Sequence, residues 1–488
     1  MAFKKISEET REYFWFALAL MLILIGARAR ADTPPTIEEL EQRIKILERK
    51  LENQQEATVA TAAETPVVKA SPKGFSLTSM DGANSIRFRG EFDFDGRFFD
   101  DKSTPNGSRS TWVFRRVRPI VEGTLSNIFD FRFTPDFGGG KTVIQDAFVA
   151  ARFRPYFVVT AGKFKEPFGL ERLQSSPDNR LIELGLPSDL VPNRDLGVQI
   201  SGALRDGAVT YQVGYFNGVN DGVSTDSNVA PDVDNNDDKD VALRLFSQPF
   251  VNSDNFALRS LGVGIAASFV RQTGNSANTL LPTYRTETQR NFFGYDGTRA
   301  AAGAAPAADA TYANGERLRW SPQAYYYFSR YGLLSEYVRV SQDVARNFGT
   351  GATAFQRTAR LKHDSWQVLA TALLTDDESG YKTIVPKRPF AIGKPGWGAV
   401  EAALRYSVLN LDQATFTNSA GTGSNAWFAD PGKQPRKASA ISAGVNWYLT
   451  QNLEWVLNYT VTRFDGGAAK GADRDDEKAF FTRFQVAF

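Results

Sequence analysis

The sequence predicts an all-β protein, a transmembrane antiparallel β-barrel, and three observations lead to this fold class. Apolar and polar side chains alternate with a period of two in many segments, as on strands with one apolar and one polar face. Beyond residue 31, no apolar run approaches the ~20 residues that a membrane-spanning helix needs. The segments between the alternating runs divide into short turns and long polar loops, an asymmetry typical of membrane barrels.

The first alternating run shows the pattern most clearly. Ile86, Phe88 and Phe92 lie on one parity, whereas Arg87 and Arg89 lie on the other. Comparable alternation returns at residues 129–134, 209–215, 400–406, 441–449 and 453–461. A charged side chain that faces lipid near the bilayer midplane costs ~2–4 kcal/mol, so we expect the polar set to face a water-filled interior. A soluble sandwich also alternates, and alternation by itself does not distinguish the two.

The N-terminus carries a short apolar segment, residues 13–26, after a leader that contains Lys4, Lys5 and Arg11. Small residues follow the segment, as at a signal-peptidase cleavage site. The pattern predicts a signal peptide over residues 1–31, with a retained membrane anchor as the alternative. The segment is short for a bilayer span.

A short helix is expected next, over residues 32–52. Its apolar residues repeat with 3,4 spacing, at Ile37, Leu40, Ile44, Leu47 and Leu51. This is the a/d seam of a coiled coil, although two heptads are few for one. A self-associating periplasmic helix and a single amphipathic helix on the body of the protein both remain open. Residues 53–73, rich in Ala, Thr and Pro, are predicted to be a flexible linker, and residues 74–488 the barrel.

Composition excludes several classes of protein. The 488 residues include no Cys and one His, which excludes disulfide scaffolds, thiolate metal sites and multi-His metal sites. We therefore predict no metal and no cofactor. The 57 basic and 55 acidic residues nearly balance, whereas nucleic-acid binding usually needs a basic surface. An Asp-rich stretch over residues 232–240 lacks the Gly and Glu of a calcium loop and is interpreted as a solvated outer loop.

Several spaced motifs resemble a known family. They are GKFKEPFGLERLQSSPDNRLIELGLPSDLVPNRDLGVQISG at 162–202, FRRVRP at 114–119, WGAVEAALRYSVLN at 397–410 and the closing RFQVAF at 483–488. In this order they resemble the phosphate- and polyphosphate-selective porin O/P family over essentially all of residues 75–488. The resemblance implies a homotrimeric barrel of about sixteen strands in the lipid of the bacterial outer membrane. It also implies a loop folded into the lumen and basic lumenal side chains that attract small anions.

Parity selects the side chains that could line such a pore. Guanidinium groups offer paired donors to oxyanions, and Lys offers a compact charge. The candidate pore-lining or anion-binding residues are Arg87, Arg89, Arg97, Arg116, Arg118, Lys163 and Lys165. The inward-folded constriction loop is predicted over residues 166–195, and its candidate cations are Arg172, Arg180 and Arg194. Because acidic residues are as frequent as basic ones around this loop, its net charge does not itself predict an anion preference.

The function predicted from these observations is passive diffusion of small anions, plausibly phosphate or polyphosphate, through an outer-membrane porin that is not an enzyme. One alternative is a weakly selective porin, or an organic-anion channel, of the same fold. Another is a lipase-like barrel enzyme, for which His363 is the sole His base. A third is a secreted, soluble β-protein that binds sugars.

Overall fold

The structure, a computed structural model, describes residues 36–64, 66–100, 110–222, 237–297, 309–348, 354–418 and 426–488. The predicted signal peptide, residues 1–31, lies outside these ranges, as does most of the Asp-rich stretch, residues 232–236. By its internal contacts the chain forms two units, residues 1–65 and 66–488.

The first unit contains one helix, α1 (Ile37–Glu64). A capping box begins it, in which the Glu39 N–H donates to Thr36 Oγ1 and the Thr36 N–H donates to Glu39 Oε2, each at 3.3 Å. The helix passes the predicted end at residue 52, because the following segment is rich in Ala, the strongest helix former. Most of the predicted linker, residues 53–73, is therefore helical or extended. No described helix is long and apolar enough to cross a bilayer.

The second unit is built almost entirely of strands. In chain order they are β1 (Val67–Ser71), β2 (Gly74–Thr78), β3 (Ser85–Phe99), β4 (Thr111–Leu125), β5 (Phe129–Asp136), β6 (Val143–Arg154), β7 (Phe157–Lys165), β8 (Arg194–Leu204), β9 (Val209–Phe216), β10 (Asp240–Ser247), β11 (Gly262–Thr273), β12 (Thr283–Arg285), β13 (Asn291–Gly294), β14 (Thr311–Phe328), β15 (Tyr331–Phe348), β16 (Phe355–Leu373), β17 (Ala399–Asn410), β18 (Pro435–Tyr448), β19 (Leu453–Gly466) and β20 (Glu477–Ala487). A short helix, α2 (Leu170–Leu173), and 3-10 turns at Gly138–Gly140, Ser176–Asp178, Leu186–Leu190, Gln413–Thr415 and Ala469–Gly471 complete the elements.

Sixteen antiparallel strands, β3–β11 and β14–β20, close into a barrel, which confirms the predicted fold class. The closing seam joins β20 to β3, where Phe480 lies opposite Phe98. At its end, Phe488 and Gly90 exchange both backbone hydrogen bonds at 3.0 Å. The hairpin β1–β2 pairs with the beginning of β3, and β12–β13 form a separate hairpin.

The two faces of the wall carry the residues that the parity predicts. Trp112 and Phe114 on β4 are 55% and 51% exposed on the outer face. Asp93 and Asp95 on β3 point inward and are fully buried. This distribution is the reverse of that in a soluble protein and is typical of a barrel with lipid outside and polar groups inside.

The connections at the two ends of the barrel differ in length. One end has tight turns, such as residues 155–156 and 329–330, whereas the other has long connections, such as residues 166–193 and 274–310. A 25-residue connection, residues 374–398, departs from the predicted asymmetry because it lies at the end of the tight turns.

Candidate pore and its constriction

Several connecting segments fold inward and fill part of the barrel, and three of them surround the candidate pore. The first, residues 166–193 between β7 and β8, is anchored to the far wall by buried ion pairs. Arg405 on β17 contacts Glu171 at 2.7 Å, and Arg180 contacts Glu401 at 3.0 Å. All four side chains are at most 2% exposed. Fixed contacts of this kind hold the segment in one position inside the barrel.

The second inward segment is the hairpin β12–β13, which belongs to a connection that the sequence indicated only as a long outer loop. Its turn carries Glu287, which contacts Arg405 at 2.8 Å and accepts a hydrogen bond from Ser407 at 2.6 Å. Glu477 on β20 accepts from the hydroxyl groups of Thr286 and Thr288, at 2.8 and 3.0 Å. Arg405 therefore links the first inward segment, the hairpin and the wall.

The third inward segment comes from the opposite end of the barrel, within residues 374–398. The Tyr381 hydroxyl donates to the Leu170 carbonyl at 2.9 Å, and Arg180 Nη2 donates to the carbonyls of Gly380 and Lys382 at 2.6 and 2.8 Å. The first segment is thus supported from the side of the tight turns as well.

A hydrophobic core lies inside the barrel, among these segments. Phe168 and Leu190 from the first segment pack with Phe292 and Phe293 from the hairpin and with wall residues such as Val338. The expectation that apolar side chains face only lipid is therefore wrong on the β14–β19 side, where the inward parity is partly apolar. The reason is that this part of the interior is filled with protein and needs apolar contacts to pack.

A cavity of about 690 Å³ lies between the first segment and the wall, which is formed here by β3–β9, β19 and β20. Ten basic side chains line it, namely Lys73, Arg89, Arg115, Arg116, Arg118, Arg132, Lys165, Arg172, Arg194 and Arg285. Six acidic side chains line it, namely Glu91, Asp146, Asp178, Glu183, Asp189 and Glu454. The cavity is therefore cationic, although the segment that bounds it is not.

Six of the ten predicted cations line this cavity. They are Arg89, Arg116, Arg118, Lys165, Arg172 and Arg194. The other four do not line it. Arg87 is half-exposed near Glu122, Lys163 is buried, Arg97 binds Glu183 at 2.6 Å, and Arg180 is held by Glu401.

Sequence reasoning did not select Arg115, Arg132 and Arg285. Arg115 is the extra residue of a β-bulge, because Asp93 lies opposite Arg116 whereas the next residue of β3 lies opposite Phe114. The bulge directs two consecutive arginines inward, which strict parity forbids. Arg285 comes from the inserted hairpin, and no local pattern could place it here. Arg132 lies on the polar parity of β5, a signal that was available in the sequence.

Most of the wall arginines are paired with carboxylates. Arg118 contacts Asp136 at 2.7 Å, and Arg194 contacts Asp146 at 2.8 Å. Glu183 in the first segment receives both Arg97 and Arg115, at 2.6 and 3.0 Å. Burial by itself would raise the pKa of Glu183, but the two arginines outweigh burial and the pKa is lowered. Glu183 is thus a charged bridge from the first segment to β3 and β4.

Four cavity-lining cations, Lys73, Lys165, Arg172 and Arg285, form no ion pair with a carboxylate among the described residues. Lys165 Nζ donates to the carbonyls of Arg172 and Gln174, at 2.8 and 2.6 Å. Arg172 Nη2 donates to the Ser188 carbonyl at 2.7 Å. Burial lowers the pKa of Arg172 to about 10, so it remains protonated at neutral pH. The hydrogen-bond partners of Lys165 and Arg172 are therefore uncharged backbone carbonyls.

Asp189 is an acidic group that interacts with two of these cations, Arg172 and Arg285. Burial raises its pKa to about 8, although the Arg285 N–H donates to its Oδ2 at 3.1 Å and Arg172 and Arg285 favour its charge. Asp221 opposes that charge. At neutral pH most Asp189 carboxyls are protonated, which adds to the positive balance of the cavity.

Comparison with known families identifies the chain. The family model described as "Phosphate-selective porin O and P" matches residues 86–488. The chain belongs to this family. It is an outer-membrane porin of the bacterial cell, and the family resemblance expected from the sequence is confirmed. No curated protein sequence matches the chain.

Solved structures similar to this porin include three outer-membrane proteins. The channel DcaP of Acinetobacter baumannii shares 9% identity with a TM-score of 0.47, over 83% of this chain and 98% of that one. OmpF of Salmonella typhi, in complex with daunomycin, shares 14% identity with a TM-score of 0.44, over 83% and 98%. OmpT of Vibrio cholerae, in a trimer form, shares 11% identity with a TM-score of 0.45, over 83% and 100%.

Proposed function

We propose that this porin conducts small anions in preference to cations, that residues 166–195 form its constriction, and that phosphate or polyphosphate is among its permeants. The observation that carries the proposal is the lining of the cavity, with ten basic and six acidic groups. Among the basic groups, Lys73, Lys165, Arg172 and Arg285 form no ion pair with a carboxylate of the described residues. Such a site lowers the barrier for an anion at the narrowest part of a pore.

The paired arginines have a different proposed role. Arg116, Arg118 and Arg194 share their charge with Glu91, Asp136 and Asp146, so each offers an anion only part of its charge. A permeant must leave as readily as it enters, and weak sites in series favour this. We assign these residues to the path along the wall, with Arg89 and Arg132 beside Glu122.

Reversal potentials in planar bilayers under a KCl gradient test the anion preference. The wild-type porin should be anion-selective, and Lys165→Gln with Arg172→Gln should lower the anion-to-cation permeability ratio several-fold. Arg436→Gln with Lys433→Gln removes the same charge from exposed positions and should leave the ratio unchanged. A cation-selective wild-type channel would refute the proposal, and an unselective one would favour the weakly selective alternative.

Phosphate as a permeant requires a second measurement. Phosphate added to one side should reduce chloride current in a saturable manner in the wild-type channel. The effect should weaken in the Lys165 and Arg172 variant, because oxyanions bind best where several donors converge. Block by organic carboxylates at lower concentrations than phosphate would instead favour an organic-anion channel.

The same proposal includes the absence of enzyme activity. His363, the sole His of the chain, is buried, with Nε2 2.7 Å from the Tyr295 hydroxyl and Nδ1 accepting the Asp412 N–H at 3.0 Å. A general base needs a free nitrogen next to a nucleophile. His363→Gln should therefore leave conductance unchanged, and hydrolysis of an ester substrate that this variant abolishes would favour the enzyme alternative.

We also propose a homotrimer in which the α1 helices of the copies associate. The apolar seam of α1 is exposed, with Leu47 64% and Leu51 57% accessible, and in a parallel pair Arg43 at a g position faces Glu48 at an e position. Because two heptads are few, association would depend on the high effective concentration within an oligomer.

The chain has no Cys, which makes a cysteine test of α1 clean. Leu47→Cys on the seam should form a disulfide between copies under mild oxidation, whereas Ile46→Cys, equally exposed but off the seam, should not. Equal cross-linking of both variants would contradict a specific helix pairing. The mass of the detergent-solubilised protein tests the trimer itself.

A further inference from the structure

A row of polar side chains crosses the outer face of the barrel near the end that carries the long loops. Strand register places Arg339 on β15 opposite Asp364 on β16, Asp364 opposite Asn410 on β17, and Asn410 opposite Lys437 on β18. Lys362 lies on the same outer face of β16, two residues beyond Asp364. Charged side chains on the lipid-facing side of a barrel are destabilised by contact with acyl chains, so we expect a polar partner for this row.

The row lies at the height where the outer boundary of the bilayer is expected. From Tyr331, at the tight turn, to Arg339 the strand rises about 20 Å, at ~3.3 Å per residue and a tilt of ~40°. Over this height the outward side chains are mainly apolar or aromatic. Trp320 lies opposite Arg339, and its ring is 5.3 Å from that of Tyr337, two residues below Arg339. Trp366 and Tyr406, with rings 5.5 Å apart, lie below Asp364 and Asn410. Such aromatic belts mark the interface between hydrocarbon and headgroups.

The cations of the row differ from their neighbours in lacking acidic partners. Just beyond it, Arg360 contacts Asp343 at 2.7 Å. Asp465 on β19, which lies opposite Lys437, contacts Arg436 at 2.6 Å. In contrast, Arg339, Lys362 and Lys437 form no ion pair among the described residues. Asp364, an acidic member of the row, accepts a hydrogen bond from Asn410 Nδ2 at 3.0 Å. With Lys362, the row therefore presents three positive charges and two carboxylates, Asp364 and Asp465, of which Asp465 is already paired with Arg436.

We propose that Arg339, Lys362 and Lys437 bind the phosphate groups of a phosphorylated lipid in the outer leaflet of the outer membrane. The three cations stand on the convex outer surface, directly above the aromatic belt, where a headgroup phosphate lies when its acyl chains pack against the wall below. Basic side chains at this depth attract anionic headgroups, and Arg and Lys can both donate hydrogen bonds to phosphate oxygens. Asn410, beside them, adds an amide for polar groups of the headgroup.

Retention of lipid by the purified porin tests this binding. The detergent-solubilised protein is incubated with bisphosphorylated lipid A or with the dephosphorylated form, and bound lipid is counted by native mass spectrometry. The wild type should retain several-fold more of the phosphorylated form. Arg339→Gln, Lys362→Gln and Lys437→Gln together should abolish this difference. Lys394→Gln, Lys433→Gln and Lys470→Gln, an equal loss of charge in loops, should preserve it.

Channel conductance, measured on the same samples, reports whether each variant is folded. The lipid-site variant should conduct like the wild type, since none of its three residues lines the cavity. Equal retention of phosphorylated lipid A by the wild type and a conducting lipid-site variant would overturn the proposal. So would dissociation of the oligomer on substitution, because the row would then be a contact between subunits.

Discussion

At the scale of single residues, Asp189 makes the charge of the cavity depend on pH. Its pKa of about 8 means that it is mostly neutral at pH 7 and becomes negative as the pH rises through that value. The new charge lies beside Arg172 and Arg285 and should offset part of their attraction for anions. The anion-to-cation permeability ratio should therefore fall between about pH 7 and pH 9, as measured from reversal potentials.

Two variants test whether Asp189 is the group that causes this pH dependence. Asp189→Asn should keep the high anion preference across this pH range, since the amide does not ionise. Glu183→Gln, in contrast, should change the ratio by a similar amount at every pH, because Arg97 and Arg115 keep the pKa of Glu183 low. A pH dependence that persists in Asp189→Asn would assign the titration to another residue.

Loss of Arg405 should destabilise the protein strongly. It is 1% exposed and pairs with both Glu171 and Glu287. Arg405→Leu leaves two buried carboxylates without their cation, and removing one partner of a buried pair costs about 3–5 kcal/mol in the free energy of unfolding. Denaturant unfolding in detergent micelles measures this loss, and the exposed Arg436→Gln should show little change under the same conditions.

Period-two parity predicted the inward orientation of Arg89, Arg116, Arg118 and Lys165, because a strand without irregularities alternates strictly. It failed where the backbone gained a residue, at the bulge that turns Arg115 inward. It also could not reveal that two of the inward arginines are paired with carboxylates, Arg97 with Glu183 and Arg180 with Glu401. Pairing across the lumen depends on residues far apart in the sequence, which no local pattern encodes.

At the scale of elements, the inserted hairpin β12–β13 should control both stability and pore size. Phe293, at its centre, is fully buried against Tyr284 and Tyr295. Phe293→Ala should lower the free energy of unfolding by about 3–5 kcal/mol, the usual cost of truncating a buried Phe. Because the hairpin packs against the first inward segment, the proposed constriction, single-channel recordings should also show larger current fluctuations.

The control for this variant is Phe133→Ala on β5, where the ring is 44% exposed on the outer face. Its unfolding and its current should both stay near those of the wild type. Steady wild-type currents from Phe293→Ala would show that the hairpin does not restrain the constriction.

The elements that the sequence revealed are those whose pattern is local. Alternation located the wall strands, and the apolar and Pro-containing stretch between β7 and β8 indicated the first inward segment. The hairpin was missed because its short strands lie within a polar, Ala-rich connection, and its burial depends on Arg405, Ser407 and Glu477 from distant strands. The helix α1 continued past residue 52 because Ala propensity, and not the apolar seam, determines its second half.

At the scale of the whole molecule, the positive balance of the cavity is a long-range field that salt should weaken. The Debye length falls from ~10 Å at 0.1 M to ~3 Å at 1 M salt. The permeability ratio, measured in KCl at a fixed gradient, should therefore decrease as the mean concentration rises. Part of the preference should persist, because in the proposed mechanism Lys165 and Arg172 contact the permeating anion directly. Independence from concentration would mean that contact alone sets the selectivity.

The seam between Gly90 and Phe488 also determines the order of events when the protein is made. β3 is synthesised early and β20 last, yet each is the other's neighbour. Until they pair, β3 and β20 are edge strands with unpaired backbone N–H and C=O groups, which can pair with strands of other chains. We therefore expect the exported chain to need protection from other unfolded chains until β20 can pair with β3. We also expect the inward segments to enter the interior before this pairing closes the barrel.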